Sequence, residues 1–70
     1  MMPLLSANTG ESYTIVRIGG TAEVKKHLED LGFTVGGNVS VIAAMGGNLI
    51  VKVRDTRVAV SRELAMKIMV

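Results

Sequence analysis

Apolar residues change their spacing along the chain, and the first run alternates with polar residues as a strand does. Residues 11–18 are rich in β-branched side chains and lie between glycines, a pattern typical of a β-strand. Tyr13 and Ile15 fall on one face of this strand, and Val16 and Ile18 fall on the other. Because both faces carry apolar groups, we expect the strand to bend around a small barrel.

A helical period follows, since Val24, Leu28 and Leu31 recur at i, i+4 and i+7. These three side chains would form the apolar stripe of an amphipathic helix that ends at Leu31. Gly20 or Thr21 stands where the N-cap of this helix is expected. The chain is therefore predicted to pass from the first strand directly into a single helix.

The stretch GFTVGGNV, residues 32–39, has the glycine spacing of a phosphate-binding loop, with Gly32 and Gly37 framing four residues. That motif continues with a lysine and a serine or threonine, which reach the phosphates and magnesium, whereas Asn38 and Val39 stand here. A phosphate loop also opens a helix, but this stretch follows the negative C-terminal end of one. We therefore interpret Gly32 as a helix stop with positive φ, followed by a turn.

Three further β-rich runs are separated by the short turn sequences MGGN and RDT, which predicts an antiparallel meander. Ser61 is then expected to cap a last short helical turn, with Leu64 and Ile68 facing the body of the protein. Ile68 and Val70 could instead close the sheet as a final strand. The three runs are residues 38–44, 48–53 and 56–60.

This order of elements predicts a mainly β fold, a small SH3-like barrel of about five antiparallel strands. One inserted α-helix and a short C-terminal helical turn complete it. Seventy residues are enough for one domain with a modest core. We assign residues 10–70 to that domain and expect residues 1–9 to be a loose N-terminal segment.

Composition adds an apolar excess, since 49% of the residues are hydrophobic and only 3% are aromatic, and we expect a body of this size to bury it only in part. An apolar patch left on the surface would serve a partner or a homo-oligomer. The chain has no cysteine, which suits a reducing compartment. Its longest apolar run is interrupted by Gly46 and Gly47 and is shorter than the roughly 20 residues that span a bilayer. We therefore expect a soluble cytoplasmic protein.

Glu23, His27 and Asp30 share one side of the predicted helix and could hold a metal ion loosely on the surface. Zinc sites normally use three or four well-fixed ligands, whereas carboxylates on an exposed helix are flexible. We interpret the three residues as a solvated polar flank and expect no metal site and no cofactor. His27 is the only histidine and has no evident relay to a serine, so no enzymatic activity is expected.

Basic residues of the last predicted hairpin raise an alternative function, the binding of RNA or the ribosome. Stacking of bases needs exposed aromatic rings, but Tyr13 and Phe33 are the only aromatic residues and both are expected in the core. We favour a solvated hairpin edge, where positive charges discourage sheet aggregation, and expect no nucleic acid. The basic residues are Lys52, Arg54, Arg57 and Arg62.

Three segments together resemble the ferrous iron transport protein A (FeoA) family: SYTIVRIGG, HLEDLGFTVGGNVSVI and GGNLIVKVRDTRVAVSRELAMKIMV. In that family a leucine-rich helix ends at a glycine, which Leu28, Leu31 and Gly32 match. A proline-glycine turn follows, of which Gly36 is present while Val35 replaces the proline. The family's C-terminal run is matched by Arg62, Glu63, Leu64, Ala65 and Ile68.

The resemblance implies an SH3-like barrel that acts as a cytoplasmic accessory or regulatory protein of bacterial ferrous iron uptake. The implied partner is the FeoB-type iron transporter, a membrane protein whose cytoplasmic domain binds GTP. Contact with the membrane would then be indirect, through that partner. Any binding of transition metal ions is implied only at the level of the family.

The helix and the turn after it are our hypothesis for the docking face, because barrel closure does not require an inserted helix. This surface would place the end of the helix and its glycine turn against the transporter. The predicted docking residues are Lys26, His27, Leu28, Leu31, Gly32, Phe33 and Gly36.

Overall fold

The computed structural model describes residues 1–70 and contains six strands and two α-helices after a short 3₁₀ turn. Four strands form an antiparallel sheet in the order β1-β3-β4-β5, and β2 pairs with β6 in a second, two-stranded sheet. The elements are the 3₁₀ turn Leu4–Ser6, β1 Ser12–Thr14, β2 Arg17–Ile18, α1 Ala22–Asp30, β3 Asn38–Met45, β4 Asn48–Val53, β5 Thr56–Ser61, α2 Arg62–Ala65 and β6 Ile68–Met69.

The first predicted strand bends so sharply that it contributes to both sheets. β1 pairs with β3, and two residues later β2 pairs with β6. Ile15 lies at this corner, fully buried, and its backbone N–H and C=O bond Gly37 and Gly36 at 2.8 and 2.7 Å. The expected bend is confirmed, and the buried Ile15 fixes where it occurs.

The meander of β3, β4 and β5 is confirmed, and both of its hairpins close with two residues in the left-handed region. Gly46 and Gly47 have φ values of 54° and 83°, as a primed turn requires. Arg54 and Asp55 adopt φ values of 51° and 60° without the freedom of glycine. The RDT corner is therefore a tight turn that the pairing of its two strands holds in place.

Helix α1 has a defined signal at each end. The Thr21 hydroxyl accepts a hydrogen bond from the Val24 N–H at 3.2 Å, which identifies Thr21 as the N-cap. At the other end the Gly32 N–H bonds the Glu29 carbonyl and the Phe33 N–H bonds the Leu28 carbonyl, both at 2.9 Å. With a Gly32 φ of 109° this is a Schellman motif, so the predicted helix stop is confirmed.

The C-terminal region forms both of the elements that the sequence left open. The Ser61 hydroxyl accepts from the Leu64 N–H at 3.3 Å and caps α2. Ile68 then enters β6 and is fully buried, while Leu64 is half-buried against the core. The chain thus turns once as a helix before it returns to the barrel as a strand.

One aliphatic core lies between the two sheets and under α1, and Phe33 is its single aromatic member. Residues of every strand of the large sheet except β1 contribute fully buried side chains, and Tyr13 of β1 packs against them half-buried. The buried set is Leu4, Ile15, Leu28, Phe33, Val39, Val41, Leu49, Val51, Val53, Val60, Ala65 and Ile68.

The N-terminal segment is not loose, which corrects the prediction for residues 1–9. Leu4 is fully buried in the core, and the backbones of Met2 and Val70 exchange two hydrogen bonds at 2.9 and 2.8 Å. Pro3 forms a bridge to Met69, so this segment borders β6 on the side away from β2. The two chain ends therefore lie together, and the folded unit extends beyond residues 10–70 toward the N-terminus.

Truncation of Leu4 tests this correction. We expect Leu4→Ala to lower the free energy of unfolding by about 2–5 kcal/mol, because it removes a fully buried side chain and leaves a cavity. Urea denaturation followed by circular dichroism measures the change. The exposed neighbour Ser6 provides the control, since Ser6→Ala should stay within about 0.5 kcal/mol. Equal stability of the two variants would show that the segment does not pack.

The turn after α1 offers a second stability test. The Gly37 N–H bonds the Thr34 carbonyl at 2.9 Å, and Gly36 has a φ of 89°, so Val35 occupies the position of a type II turn that favours proline. We expect Val35→Pro to stabilise the fold by about 0.4–1 kcal/mol by restricting the unfolded chain. Gly36→Ala should destabilise it by about 1–2 kcal/mol. A proline variant less stable than the parent in thermal unfolding would contradict this turn assignment.

Candidate functional site

The structure divides the predicted docking residues into a buried group and an exposed group. Leu28 and Phe33 are fully buried in the core, and Gly32 is buried beside Val53. Leu31 is half-buried and packs against the same core. The side chains of Leu28 and Phe33 are therefore not accessible to a partner in this fold, because they pack in the core. A partner contact at the half-buried Leu31 or at the backbone of Gly32 stays a prediction.

The exposed group consists of Lys26 and His27 on α1 and Gly36 in the following turn. The Gly36 N–H is already bonded to the Ile15 carbonyl, so this glycine can offer a partner its Cα and its carbonyl but not its N–H. What remains of the predicted face is mainly the polar surface of the helix.

A groove that the sequence did not predict lies along α1. It has a volume of about 320 Å³ and is lined by Ile18, Lys25, Glu29, Thr34 and Val35. Its apolar floor comes from β2 and from the type II turn, and the two charged residues come from α1. Val35 is 66% exposed, so most of its apolar side chain faces water. Apolar side chains beside charged ones could give a partner both apolar contact and orientation.

The groove and the predicted metal residues lie on opposite flanks of α1. Lys25 and Glu29 are four residues apart and line the groove together. Helical spacing places Glu23, His27 and Asp30 on the other side of the apolar stripe. The two flanks can therefore be tested separately by substitution.

The three residues named as a loose metal site are all exposed on this second flank. No group of three or more histidine, aspartate or glutamate side chains lies close enough together to hold a metal ion. Helical neighbours alone therefore do not assemble a ligand set here.

The four basic residues predicted to cluster around one hairpin do so only in part. Lys52 and Arg57 are directly paired across β4 and β5, close to the turn that carries Arg54. Arg62 follows Ser61, which pairs with Asn48 at the other end of the hairpin. Arg62 lines a separate groove of about 250 Å³ with neighbours that include Leu5 and Met45. The prediction of a single basic cluster is therefore wrong for Arg62.

The two aromatic residues differ in their burial. Phe33 lies in the core as expected. Tyr13 is half-buried, and its hydroxyl donates to a Glu11 carboxylate oxygen and accepts from the Asn8 N–H, both at 2.9 Å. Tyr13 therefore packs at the margin of the core, and its hydroxyl fixes the loop before β1.

The backbone of GFTVGGNV is occupied within the chain itself. The N–H groups of Gly32, Phe33, Gly36 and Gly37 all donate to backbone carbonyls of this protein. A phosphate-binding loop needs such N–H groups directed at the anion. This stretch therefore acts as a helix stop and turn, as predicted, and holds one wall of the groove.

None of the helices has the length and the apolar composition needed to cross a lipid bilayer.

Comparison with known proteins identifies what the chain is similar to. It matches the family model described as FeoA domain over residues 2–70, a match that includes most of the N-terminal segment. It is 33% identical over 70 residues to a Methanocaldococcus jannaschii protein named Fe(2+) transport protein A, across the whole of this chain and 85% of that one.

The solved structures that share the fold include two FeoA proteins. The crystal structure of an iron uptake regulatory protein (FeoA) superposes with a TM-score of 0.89 at 29% identity, over 97% of this chain and 90% of that one. Zinc-complexed FeoA of Stenotrophomonas maltophilia, described as an SH3 domain protein, superposes with a TM-score of 0.83 at 24% identity, over 99% and 88% of the two chains. The SH3-like fold predicted from the sequence is confirmed.

Proposed function

The chain belongs to the FeoA domain family, which serves ferrous iron transport, and we propose that it is a non-enzymatic cytoplasmic regulator that docks on the FeoB-type transporter. The match over residues 2–70 carries this proposal, since it spans nearly the entire folded unit. The implied contact is with the GTP-binding cytoplasmic domain of the transporter. Any nucleotide would then be bound by the partner.

The groove along α1 is the surface that fits this role best. Val35 and Ile18 offer apolar contact at its centre, and Lys25 and Glu29 provide one charge of each sign at its rim. A partner that covers the exposed Val35 would remove apolar surface from water, which is the main favourable term in association. The rim charges would fix orientation more than affinity.

The groove also has the rigidity that a docking surface needs. One wall is held by the Schellman motif at the end of α1, and the other by the hydrogen bonds between Ile15 and the glycines of the turn. Because the backbone of the groove is already fixed by these hydrogen bonds, binding would order few additional groups, and the entropic cost of association would be small. Lys26 lies next to this surface on the outward side of the helix, whereas His27 lies on the opposite flank.

Titration calorimetry with the isolated GTP-binding domain of the transporter tests the proposal. We expect Val35→Asp to weaken binding at least about tenfold, because a charge would replace the central apolar contact. Lys25→Glu should weaken it by a smaller factor, and the salt dependence should change with it. The matched control is Arg62→Glu, an equal charge reversal at an exposed residue of α2, which should leave the affinity unchanged.

The substitutions Lys26→Glu and His27→Glu distinguish the two flanks of the helix. If these changes abolished binding while Val35→Asp did not, docking would use the polar flank, and the groove assignment would be wrong. Full affinity in every variant would rule out α1 as a docking surface.

A further inference from the structure

The positive charge of the protein is concentrated in one hairpin. Residues 48–61 contain three basic side chains and one acidic side chain, while the rest of the chain contains five of each sign. The net charge of +2 is therefore located on β4, β5 and the turn between them. Lys52 and Arg57 are directly opposite each other across the two strands, so both lie on the same face of the sheet.

The only acidic residue of the hairpin compensates this charge weakly. A carboxylate oxygen of Asp55 lies 3.9 Å from the Lys52 ammonium, but the Asp55 side chain is 99% exposed. An ion pair of this kind contributes little in water. Lys52 is therefore available to an incoming carboxylate, and Arg57 forms no ion pair.

The second strand of this hairpin, β5, forms an open edge of the sheet. β5 is the last strand of the four-stranded sheet, and its pairing partner β4 lies on one side only. At the second sheet the corresponding edge of β6 is bordered by Met2 and Pro3. With six residues, β5 is also longer than β1 at the opposite edge of its sheet.

The register defines which backbone groups of β5 are open. The two-residue turn joins the directly paired Val53 and Thr56, and such a closing pair is hydrogen-bonded. Hydrogen-bonded and non-bonded pairs alternate in antiparallel sheets, so Arg57 and Ala59 direct their N–H and C=O groups away from β4. Neither residue takes part in any backbone hydrogen bond outside the helices and strands.

We propose that the β5 edge binds an extended acidic segment of a partner protein by strand addition. The backbone of the segment would pair with Arg57 and Ala59 and continue the sheet, in the manner of β-augmentation. Its carboxylates would meet Arg57 and Lys52 on the face of the sheet and Arg54 at the turn. This surface is separate from the groove along α1, and the proposal does not depend on the identity of the transporter.

The charge of the hairpin favours an acidic segment over two other possible partners, a second copy of the chain and a nucleic acid. A second copy of the chain paired through β5 would bring no carboxylate of that strand to the cations, because β5 contains no acidic residue. A nucleic acid would satisfy the charge but would leave the strand edge unpaired, and the half-buried Tyr13 and buried Phe33 offer no stacking platform. An acidic strand would pair with the basic side chains of the hairpin and with the open backbone groups of β5.

An end-blocked octapeptide of alternating glutamate and valine is a suitable probe, added to the ¹⁵N-labelled full chain. We expect the amide signals of Arg57 and Ala59 to shift most, because strand addition engages those two N–H groups. The matched peptide with lysine in place of glutamate should leave them unchanged. Raising the ionic strength from about 0.01 M to about 0.15 M, which shortens the screening length from about 30 Å to about 8 Å, should weaken binding of the acidic peptide.

Two variants distinguish the contribution of charge to peptide binding from that of backbone hydrogen bonding. Arg57→Glu should weaken peptide binding at least about tenfold by removing an attraction and adding a repulsion. Ala59→Pro removes one outward N–H without breaking the ladder to β4, since proline is tolerated where the N–H faces solvent, and it should weaken binding several-fold. Lys25→Glu on α1 should bind the peptide like the parent. Amide spectra of each free variant establish that it is folded.

Several results would overturn the proposal. These are equal binding of the lysine peptide, amide shifts confined to other surfaces, or full affinity in a folded Arg57→Glu variant. An octameric uridine RNA that shifts the β5 amides when the acidic peptide does not would assign the surface to nucleic acid. A dimer in sedimentation that Ala59→Pro dissociates would assign it to a second copy. Loss of transporter binding in Val35→Asp has no bearing on these outcomes.

Discussion

The end of α1 is the point on which the rest of the architecture depends. Gly32, with its positive φ, allows two reversed hydrogen bonds that stop the helix and turn the chain back. Leu28 and Phe33 are thereby brought into the core together, one before the stop and one after it. The chain then bonds Ile15 through the two glycines of the turn, at the corner where the first strand leaves one sheet for the other. A single cap thus joins the helix, the core and the crossing point of the two sheets.

The groove is a consequence of the same constraint. Because the apolar stripe of α1 packs against the barrel, its flanks are the surfaces most open to a partner. The turn that follows the cap lies beside one of these flanks. Val35 is exposed because it lies at the tip of a tight turn, next to Gly36, where its side chain points away from the core. The surface that we associate with transporter docking therefore depends on the turn at the end of the helix more than on the outward face of the helix.

Local patterns predicted most of the fold, and non-local contacts account for the errors. The helix, the meander and both caps follow from spacing and from single residues such as Thr21, Gly32 and Ser61. The packing of Leu4 could not be read in this way, because the partner strand of its segment lies at the far end of the chain. The burial of Leu28 could not be read from the sequence either, because a stripe of leucines has the same spacing whether it faces a core or a partner. Ile18, Lys25 and Val35 meet only in the folded chain.

Amide chemical-shift mapping on the ¹⁵N-labelled chain, titrated with the transporter's GTP-binding domain, tests the central claim most directly, since it locates the contact without altering the protein. We predict that the largest changes fall on Ile18, Lys25, Glu29 and Val35, the residues that line the groove. Changes centred on the groove of Leu5 and Arg62, or the absence of any change at saturating partner concentration, would contradict the account.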